Sequence, residues 1–202
     1  MLLERLRADL HIARRALEAF IEREADVRRL SEASAMIVES LRAGGKVLAV
    51  GNGGSCADAG HFCEELTGRF RAERPALAAI ACTDAGHLTC TANDYGYDAV
   101  FSRWIEALGR SGDVLVALST SGNSTNIVRA VDAASERGMK VITLLGKGGG
   151  RLRGRADVEW VVEPGASERG VDVLQADRIQ EIHMIILHSL VRAVELRMFG
   201  GE

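Results

Sequence analysis

The segment KVLAVGNGGS (46–55) places a short apolar run directly before a loop of glycine, asparagine and serine. A second segment, DVLVALSTSGNS (113–124), has the same form with serine and threonine in its loop. In an open parallel sheet such loops lie at the carboxyl ends of the strands, where ligands bind. Small residues let the backbone approach an anion, and the N–H groups of the following helix point towards it. The two segments therefore predict an anion-binding edge of a parallel sheet.

The chemistry of these loops favours a sugar phosphate over a nucleotide. The loop that ends the second segment is rich in hydroxyl groups and contains no lysine. The Gly-x-x-x-x-Gly-Lys-Ser/Thr pattern of nucleotide-triphosphate sites is absent, and no full Gly-x-Gly-x-x-Gly pattern follows the first strand.

Composition excludes several classes of protein. The chain has 202 residues, 47% of them hydrophobic, and only two prolines, which is typical of a folded domain with a substantial core. A formal charge of -3 and the lack of a basic run argue against a nucleic-acid partner. The apolar stretches have strand length, and the charged N-terminus lacks the core of a signal peptide, so we predict a cytoplasmic protein with no membrane partner. The four cysteines form no Cys-x-x-Cys pair and are interpreted as reduced packing residues.

Predicted strands and helices alternate along the chain. The predicted strands cover 46–50, 76–82, 114–118, 141–146 and 158–163. The other predicted elements are two helices within 1–43, a helix from about Ser55, helices over 98–109, 124–137 and 177–198, and a loop over 164–176. Continuous apolar strands that alternate with helices indicate an α/β fold with a parallel sheet covered on both faces. No linker or low-complexity tract divides the chain, so one domain over 1–202 is predicted.

The helix after the first loop carries His61 and Glu65, four residues apart and so on one face. Such a pair can bind a metal or transfer protons. The alternative is a solvent-exposed polar pair beside Glu64. The position after an anion-binding loop favours the functional interpretation.

A second polar cluster, ADRIQEIHMIILH (176–188), opens the last predicted helix. Asp177, Gln180 and His183 follow one another at intervals of three, and His188 lies among aliphatic residues. The alternative is a helix N-cap at Asp177 with surface polar residues, and with His183 or His188 as a core histidine. A buried histidine next to a carboxylate would serve as a proton shuttle.

A third segment, TANDYGYDAVFSRW (91–104), predicts a turn at Asn93, Asp94 and Tyr95-Gly96-Tyr97. A turn leaves the carboxylate of Asp94 available to hold sugar hydroxyls.

Five motifs in this order over nearly the whole chain resemble the phosphoheptose isomerases, which consist of one sugar-isomerase (SIS) domain. The motifs are GNGGS (51–55), HFCEELTGRF (61–70), NDYGY (93–97), STSGNS (119–124) and ADRIQEIH (176–183). The resemblance implies a three-layer α/β sandwich of the flavodoxin-like or Rossmann-like type, with a five-stranded parallel sheet flanked by helices. It also implies a homotetramer whose active sites lie at subunit interfaces, with the N-terminal helices (1–43) assigned to assembly.

The implied activity is an aldose–ketose isomerisation through an enediol. Sedoheptulose 7-phosphate would become D-glycero-D-manno-heptose 7-phosphate, the first step of heptose biosynthesis for cell-surface glycans such as lipopolysaccharide. The resemblance assigns Glu65 and His188 as the acid/base pair. It implies one zinc ion per subunit, with the ligands His61, Glu65, Gln180 and His188. The implied substrate-binding residues are Asn52, Gly53, Gly54, Ser55, Glu65, Asn93, Asp94, Ser119, Thr120, Ser121, Ser124, Asp177 and Gln180.

Spacing leaves one point of this assignment open. Gln180 and His188 are eight residues apart, or about 12 Å along a helix axis. Either Gln180 lies at a distorted helix start, or one of the two binds substrate only; spacing alone pairs Gln180 with His183. The loop at 164–176 is predicted to be longer than in familiar members of the family.

Three other functions remain open at this stage. A non-catalytic SIS protein of the type that associates with the bacterial replication initiator would lack the acid/base pair, which this chain retains. A phosphosugar-sensing regulator would need a DNA-binding domain, for which the N-terminal helices leave no room. The third alternative is an isomerase of another sugar phosphate.

Overall fold

Five parallel strands form a central sheet in the computed structural model, which describes residues 1–163, 166–167, 170–171 and 174–200. The strands are β1 (Val47–Val50), β2 (Ala79–Ala81), β3 (Val114–Ser119), β4 (Lys140–Gly146) and β5 (Val158–Val162). They lie in the order β2-β1-β3-β4-β5. The chain leaves β1 towards one edge and returns on its other side as β3, so the strand order reverses between these two strands. The predicted α/β fold with a parallel sheet is confirmed.

Seven helices accompany these strands in the described part of the chain. They are α1 (Leu2–Glu22), α2 (Glu24–Arg42), α3 (Gly54–Thr67), α4 (Ala85–Tyr95), α5 (Val100–Leu108), α6 (Thr125–Glu136) and α7 (Ala176–Phe199). None of the described helices is long and apolar enough to cross a membrane.

Alternate residues of the central strands face two separate apolar clusters. In β1, Val47 and Ala49 pack with α1, α2, α3 and α7, whereas Leu48 and Val50 pack with α4, α5 and α6. Every residue of β1 and β3 is buried, because helices cover both faces of the sheet. This arrangement is the predicted three-layer sandwich.

Two local predictions are wrong, and each has a structural reason. The predicted strand 76–82 shortens to β2, because the backbone N–H of Leu77 bonds the carbonyl of Leu66 in α3 instead of joining the sheet. The predicted turn at 93–97 is wrong for Asn93, Asp94 and Tyr95, which form the last turn of α4, a helix that the sequence patterns did not indicate, and right at Gly96, where the chain turns. The carboxylate of Asp84 accepts the N–H of His87 at 2.7 Å and caps this helix. Gly96, with φ +81, ends it.

The predicted loop at 164–176 contains a short antiparallel pair, so that prediction is also wrong in part. Backbone pairing joins β6 (Ala166–Ser167) to β7 (Gly170–Val171), and α7 already begins at Ala176. Positions 164–165, 168–169 and 172–173 lie outside the described residues.

The cysteines are all free, as predicted. Burial raises the pKa of Cys63 and of Cys82 to about 12, which makes both thiols inert packing groups. Cys90 differs from the prediction, since it is exposed on α4 and does not pack in the core.

Candidate active site

The two anion-binding loops meet side by side, because β1 and β3 are neighbours in the sheet. Gly53 precedes α3 as its N-cap residue, and Ser124 does the same for α6. The side-chain amides of Asn52 and Asn126 form a reciprocal pair, with each Nδ2 donating to the other Oδ1 at 2.9 Å. This pair fixes the first loop to the start of the helix that follows the second.

Two residues of this connection were missed by sequence reasoning. The hydroxyl of Tyr97 donates to Oδ1 of Asn52 at 2.8 Å, and so ties the segment after α4 to the same point. Asn126 is 3% exposed, and its Oδ1 also accepts the N–H of Ile127. A polar residue on the apolar face of an amphipathic helix is the signal that could have identified it.

The serine/threonine loop has its backbone shaped by its own hydroxyls. Oγ of Ser119 accepts the N–H of Gly122 at 3.1 Å, and Oγ of Ser121 accepts that of Asn123 at 3.2 Å. Thr120 lies between them, and Ser124 makes no side-chain capping bond to α6. Hydroxyls and a helix N-terminus therefore converge on one small region, as a phosphate cradle requires.

A glycine-rich wall, residues 147–152, closes one side of this loop. The N–H of Leu152 donates to the carbonyl of Gly122, and the N–H of Arg151 donates to Oδ1 of Asn123, both at 3.1 Å. Gly122 has φ +64, and a Cβ added there would collide with the carbonyl oxygen of Gly149. The close approach of the two segments therefore requires glycine at position 122.

Gln180 lies against the first loop. Its Nε2 is 3.5 Å from Oγ of Ser55, and a Cβ on Gly54 would collide with its amide. Glycine at position 54 thus makes room for this side chain, which comes from the first turns of α7.

Three potential metal ligands converge from two helices. His61 and Glu65 project from α3, His188 projects from α7, and one ligand atom from each lies within 4.8 Å of the others. Nε2 of His61 is 2.9 Å from Nε2 of His188 and 3.5 Å from Oε1 of Glu65. Ligands of a tetrahedral zinc ion are about 3.3 Å apart when the metal–ligand bonds are about 2.0 Å. The three side chains therefore fit a zinc ion in spacing and in donor type.

The surroundings of the cluster orient the histidines. Nδ1 of His61 is 2.6 Å from Oε1 of Glu64, so Glu64 can accept the Nδ1 proton and leave the Nε2 lone pair facing the cluster. The ring of Phe70 lies 5.7 Å from that of His188 between centroids. Burial raises the pKa of Asp58, one turn before His61, and His61 opposes that rise.

The two histidines of α7 have different environments. His183 is completely buried, and its Nε2 contacts the carbonyl oxygen of Leu145 at 3.0 Å. Burial lowers the pKa of His183 to about 4, so this ring is neutral at pH 7. His183 is thus the core histidine that the sequence left open, whereas His188 belongs to the metal-ligand cluster.

Comparison with known proteins identifies the family. A model of the SIS domain matches residues 10–146. The phosphoheptose isomerase of Enterobacter sp. (strain 638) is 48% identical over 193 residues, which cover 96% of each chain. That of Klebsiella pneumoniae is 48% identical over 196 residues, or 97% of each chain. The chain belongs to the phosphoheptose isomerase family.

Solved phosphoheptose isomerase structures have the same fold. The enzyme GmhA from Neisseria gonorrhoeae superposes with a TM-score of 0.84 at 40% identity, over 96% of this chain and 99% of that one. The protein from Francisella tularensis gives 0.86 at 33% identity, over 96% and 98%. This agreement confirms the SIS-domain architecture.

Within this phosphoheptose isomerase fold, the predicted residues fall into four groups. The loop residues and Gln180 lie at the carboxyl edge of the sheet, whereas the three metal-ligand candidates lie further along α3 and α7. Asn93 and Asp94 lie at the exposed end of α4, where Nδ2 of Asn93 donates to Oδ1 of Asp94 at 2.8 Å. Asp177 lies in the first turn of α7 and pairs with Arg178 at 3.2 Å, while the N-cap position belongs to Gln175. The substrate contacts of all the predicted residues stay predictions.

Proposed function

We propose that this protein is a phosphoheptose isomerase that converts sedoheptulose 7-phosphate to D-glycero-D-manno-heptose 7-phosphate. The main support is that Glu65 and His188, which lie 123 residues apart in the sequence, meet with His61 in one cluster on two helices whose first turns border the first anion-binding loop. The 48% identity to a phosphoheptose isomerase over 96% of the chain supports the same assignment. The reaction would take place in the cytoplasm, as a step of heptose biosynthesis for cell-surface glycans.

The two loops would hold the substrate at its phosphate end. Hydroxyls of the 119–124 loop and the N-terminus of α6 supply donors for the phosphate oxygens. The amides of Asn52 and Gln180 and the polar pair Asn93 and Asp94 supply partners for the sugar hydroxyls. A substrate fixed at both ends reacts as though its reacting groups were at high concentration.

The reactive end needs two proton-transfer groups. The carboxylate of Glu65 takes a proton from C1 of the ketose, next to the C2 carbonyl, and a 1,2-enediol results. Return of a proton to C2 gives the aldose, while the hydroxyl proton moves from O1 to O2 with His188 as its partner. Each group contributes about 10²- to 10⁴-fold to such a reaction.

A zinc ion, one per subunit, fits His61, Glu65 and His188. Gln180 is the proposed fourth ligand, but it lies about 12 Å before His188 along α7 and contacts Ser55, so its side chain would have to leave Ser55 to reach the ion. When bound, the ion would polarise the substrate oxygens and stabilise the negative charge of the enediolate. Glu65 would then use one carboxylate oxygen as a ligand and the other for proton transfer.

The whole chain, 1–202, would form one SIS domain that assembles as a homotetramer with active sites at subunit interfaces. The support lies on α1, where Leu3, Leu6 and Leu10 recur every three to four residues and are at least 50% exposed. Ala16 and Phe20 of the same helix are buried in the core. Substitution of the three leucines by lysine, which leaves the core intact, is therefore a better test than deletion of 1–40. A smaller species by light scattering with lower activity is expected; an unchanged active tetramer would contradict the role of α1 in assembly, and a wild-type protein that is not a tetramer would contradict the assembly itself.

The activity itself is tested with purified, zinc-loaded protein and sedoheptulose 7-phosphate, with product detected by NMR. An aldoheptose 7-phosphate is expected. A non-catalytic SIS binding protein would give no product from any sugar phosphate, and an isomerase of another substrate would convert a different ketose phosphate faster.

A further inference from the structure

A buried ion pair joins the segment after α3 to the C-terminal part of α7. Nε of Arg74 lies 3.1 Å from Oε1 of Glu195, and the two side chains are only 2% and 5% exposed. Neither residue lies in a loop that binds substrate or in the metal-ligand cluster. Two opposite charges buried this deeply lose their hydration, which costs free energy. The pair therefore needs a structural or functional reason to lie inside the protein.

The same guanidinium caps the end of α3. One terminal nitrogen of Arg74 donates to the carbonyl of Leu66 at 2.7 Å and to that of Gly68 at 2.9 Å. The other donates to the carbonyl of Glu65 at 2.5 Å. The last carbonyls of a helix have no partner within the helix, and here a single planar group satisfies several of them.

These contacts end on the two helices that carry the proposed acid/base pair. Glu65 supplies its backbone carbonyl to Arg74 and its side chain to the cluster. Glu195 follows His188 by seven residues, about two helical turns, and so lies on the same face of α7. One guanidinium therefore links the backbone of Glu65 to the face of α7 from which His188 projects.

We propose that Arg74 and Glu195 are positioning residues that hold α3 and α7 in the register at which Glu65 meets His188. The proposal rests on the isomerase function proposed above. Glu65 and His188 belong to different helices, so the gap between them depends on how those helices pack. A displacement of one helix along the other by about 1 Å would misplace the pair, and such a change costs about 10²-fold in rate.

The geometry of Arg74 makes this role specific to arginine. A lysine ammonium can replace the charge, but it lacks the planar fork that reaches Glu195 and the α3 carbonyls together. Oε2 of Glu195 is buried without a hydrogen-bond partner among the described residues. The nearest other cation is Arg192, whose guanidinium is 4.0 Å from that oxygen. The carboxylate thus depends on Arg74 for its orientation.

The test uses Arg74→Lys and Glu195→Gln in the full-length protein. Asp157→Asn is the matched control, since Asp157 pairs with Lys140 at 2.7 Å and joins β4 to β5 at the amino edge of the sheet. For each variant, kcat and KM for sedoheptulose 7-phosphate are measured per folded molecule. The Zn²⁺ dissociation constant of the metal-free protein is measured by chelator competition, which needs no turnover.

For Arg74→Lys and for Glu195→Gln we expect kcat to fall about 10- to 100-fold and Zn²⁺ affinity to weaken about 10-fold, which is the range for residues that orient metal ligands. KM should change less than about threefold, because the loops at 52–54 and 119–124 do not touch the pair and hold the substrate independently. The control should retain both values. Glu195→Gln keeps the shape and an acceptor oxygen for Arg74, so we expect it to fold even if Arg74→Lys does not, and circular dichroism of each variant checks this.

Folded variants with wild-type kcat and Zn²⁺ affinity would overturn the proposal, and so would an equal loss of kcat and Zn²⁺ affinity in Asp157→Asn.

The proposed isomerase function and the proposed positioning role fail in different ways. If the wild-type protein does not turn over the heptose phosphate, the proposed function is wrong, while the Zn²⁺ dissociation constants still decide whether the pair positions the cluster.

Discussion

The phosphate end and the reactive end of the site are built by different means. At the proposed phosphate end, loops 51–55 and 119–124 would bind the substrate through backbone and hydroxyl groups that are adjacent in the sequence, and each loop follows its strand directly. At the reactive end, His61 and Glu65 meet His188 across two helices. The first is specified by local sequence, whereas the second depends on long-range packing. Perturbing each end should therefore give a different kinetic signature.

The largest effect is expected for Glu65→Gln at the reactive end. Loss of the proton-accepting carboxylate should lower kcat about 10³-fold, within the range for general acid–base groups, while substrate binding measured by calorimetry persists. Glu64→Gln is the matched control, because Glu64 contacts Nδ1 of His61 at the outer side of the cluster. A similar loss of kcat in both variants would contradict the assignment of proton transfer to Glu65 and not to Glu64.

His183 anchors α7 to the carboxyl end of β4, and its protonation should destabilise the fold. Its pKa is lowered by burial from 6.5 to about 4, so the unfolded chain binds a proton at a higher pH than the folded chain. The free energy of unfolding should fall by about 3 kcal/mol as the pH drops from 6.5 to 4, and this residue should contribute no slope above that window.

Denaturation of wild type and His183→Gln across this pH range measures the effect. The difference between the two stability curves should change with pH inside the window only. Parallel curves would show that His183 does not titrate as its burial requires.

At the phosphate end, Gly122→Ala should raise KM about 10-fold or more and lower kcat much less. Alanine at φ +64 is strained by about 1 kcal/mol, and its Cβ would also push the loop away from Gly149. Gly112→Ala is the control, because Gly112 has φ +89 but open space around its Cβ position. If KM rose equally in the control, backbone strain at positive φ and not the collision with Gly149 would explain the effect.

The smallest effect is expected where the loops are tied together. Asn126→Ala removes the amide that pairs with Asn52, which keeps its contact with Tyr97. Two hydrogen bonds of about 1 kcal/mol each are lost, but Tyr97 still holds Asn52, so KM should rise only about fivefold in steady-state assays. An unchanged KM would mean that Asn52 is held well enough by Tyr97.

The same contrast explains how far the sequence could predict the structure. The parallel sheet and both loops follow from apolar runs and small residues that are contiguous in the chain. The position of Gln180 against Gly54 does not, because it depends on how α7 crosses the first loop. Helix α4 was missed, since its signal is the cap at Asp84 and its interior includes residues such as Thr and Cys that favour helices weakly.

Side-chain pairs distant in sequence were also beyond prediction. Asn126 and Arg74 carry no motif, and their roles follow from burial and from the partners that folding supplies. His183 and His188 look alike in the sequence, and only packing separates the buried ring from the one in the cluster.

The most direct test of the account is the fate of the transferred proton. Sedoheptulose 7-phosphate is incubated in deuterated water with wild-type protein and with Glu65→Gln, and C1 and C2 are followed by NMR. The account predicts an aldoheptose phosphate carrying deuterium at C2 with the wild type, and neither product nor exchange with Glu65→Gln. Product without deuterium at C2 would contradict an enediol that exchanges protons with solvent, and exchange at the wild-type rate in Glu65→Gln would remove Glu65 from the reaction.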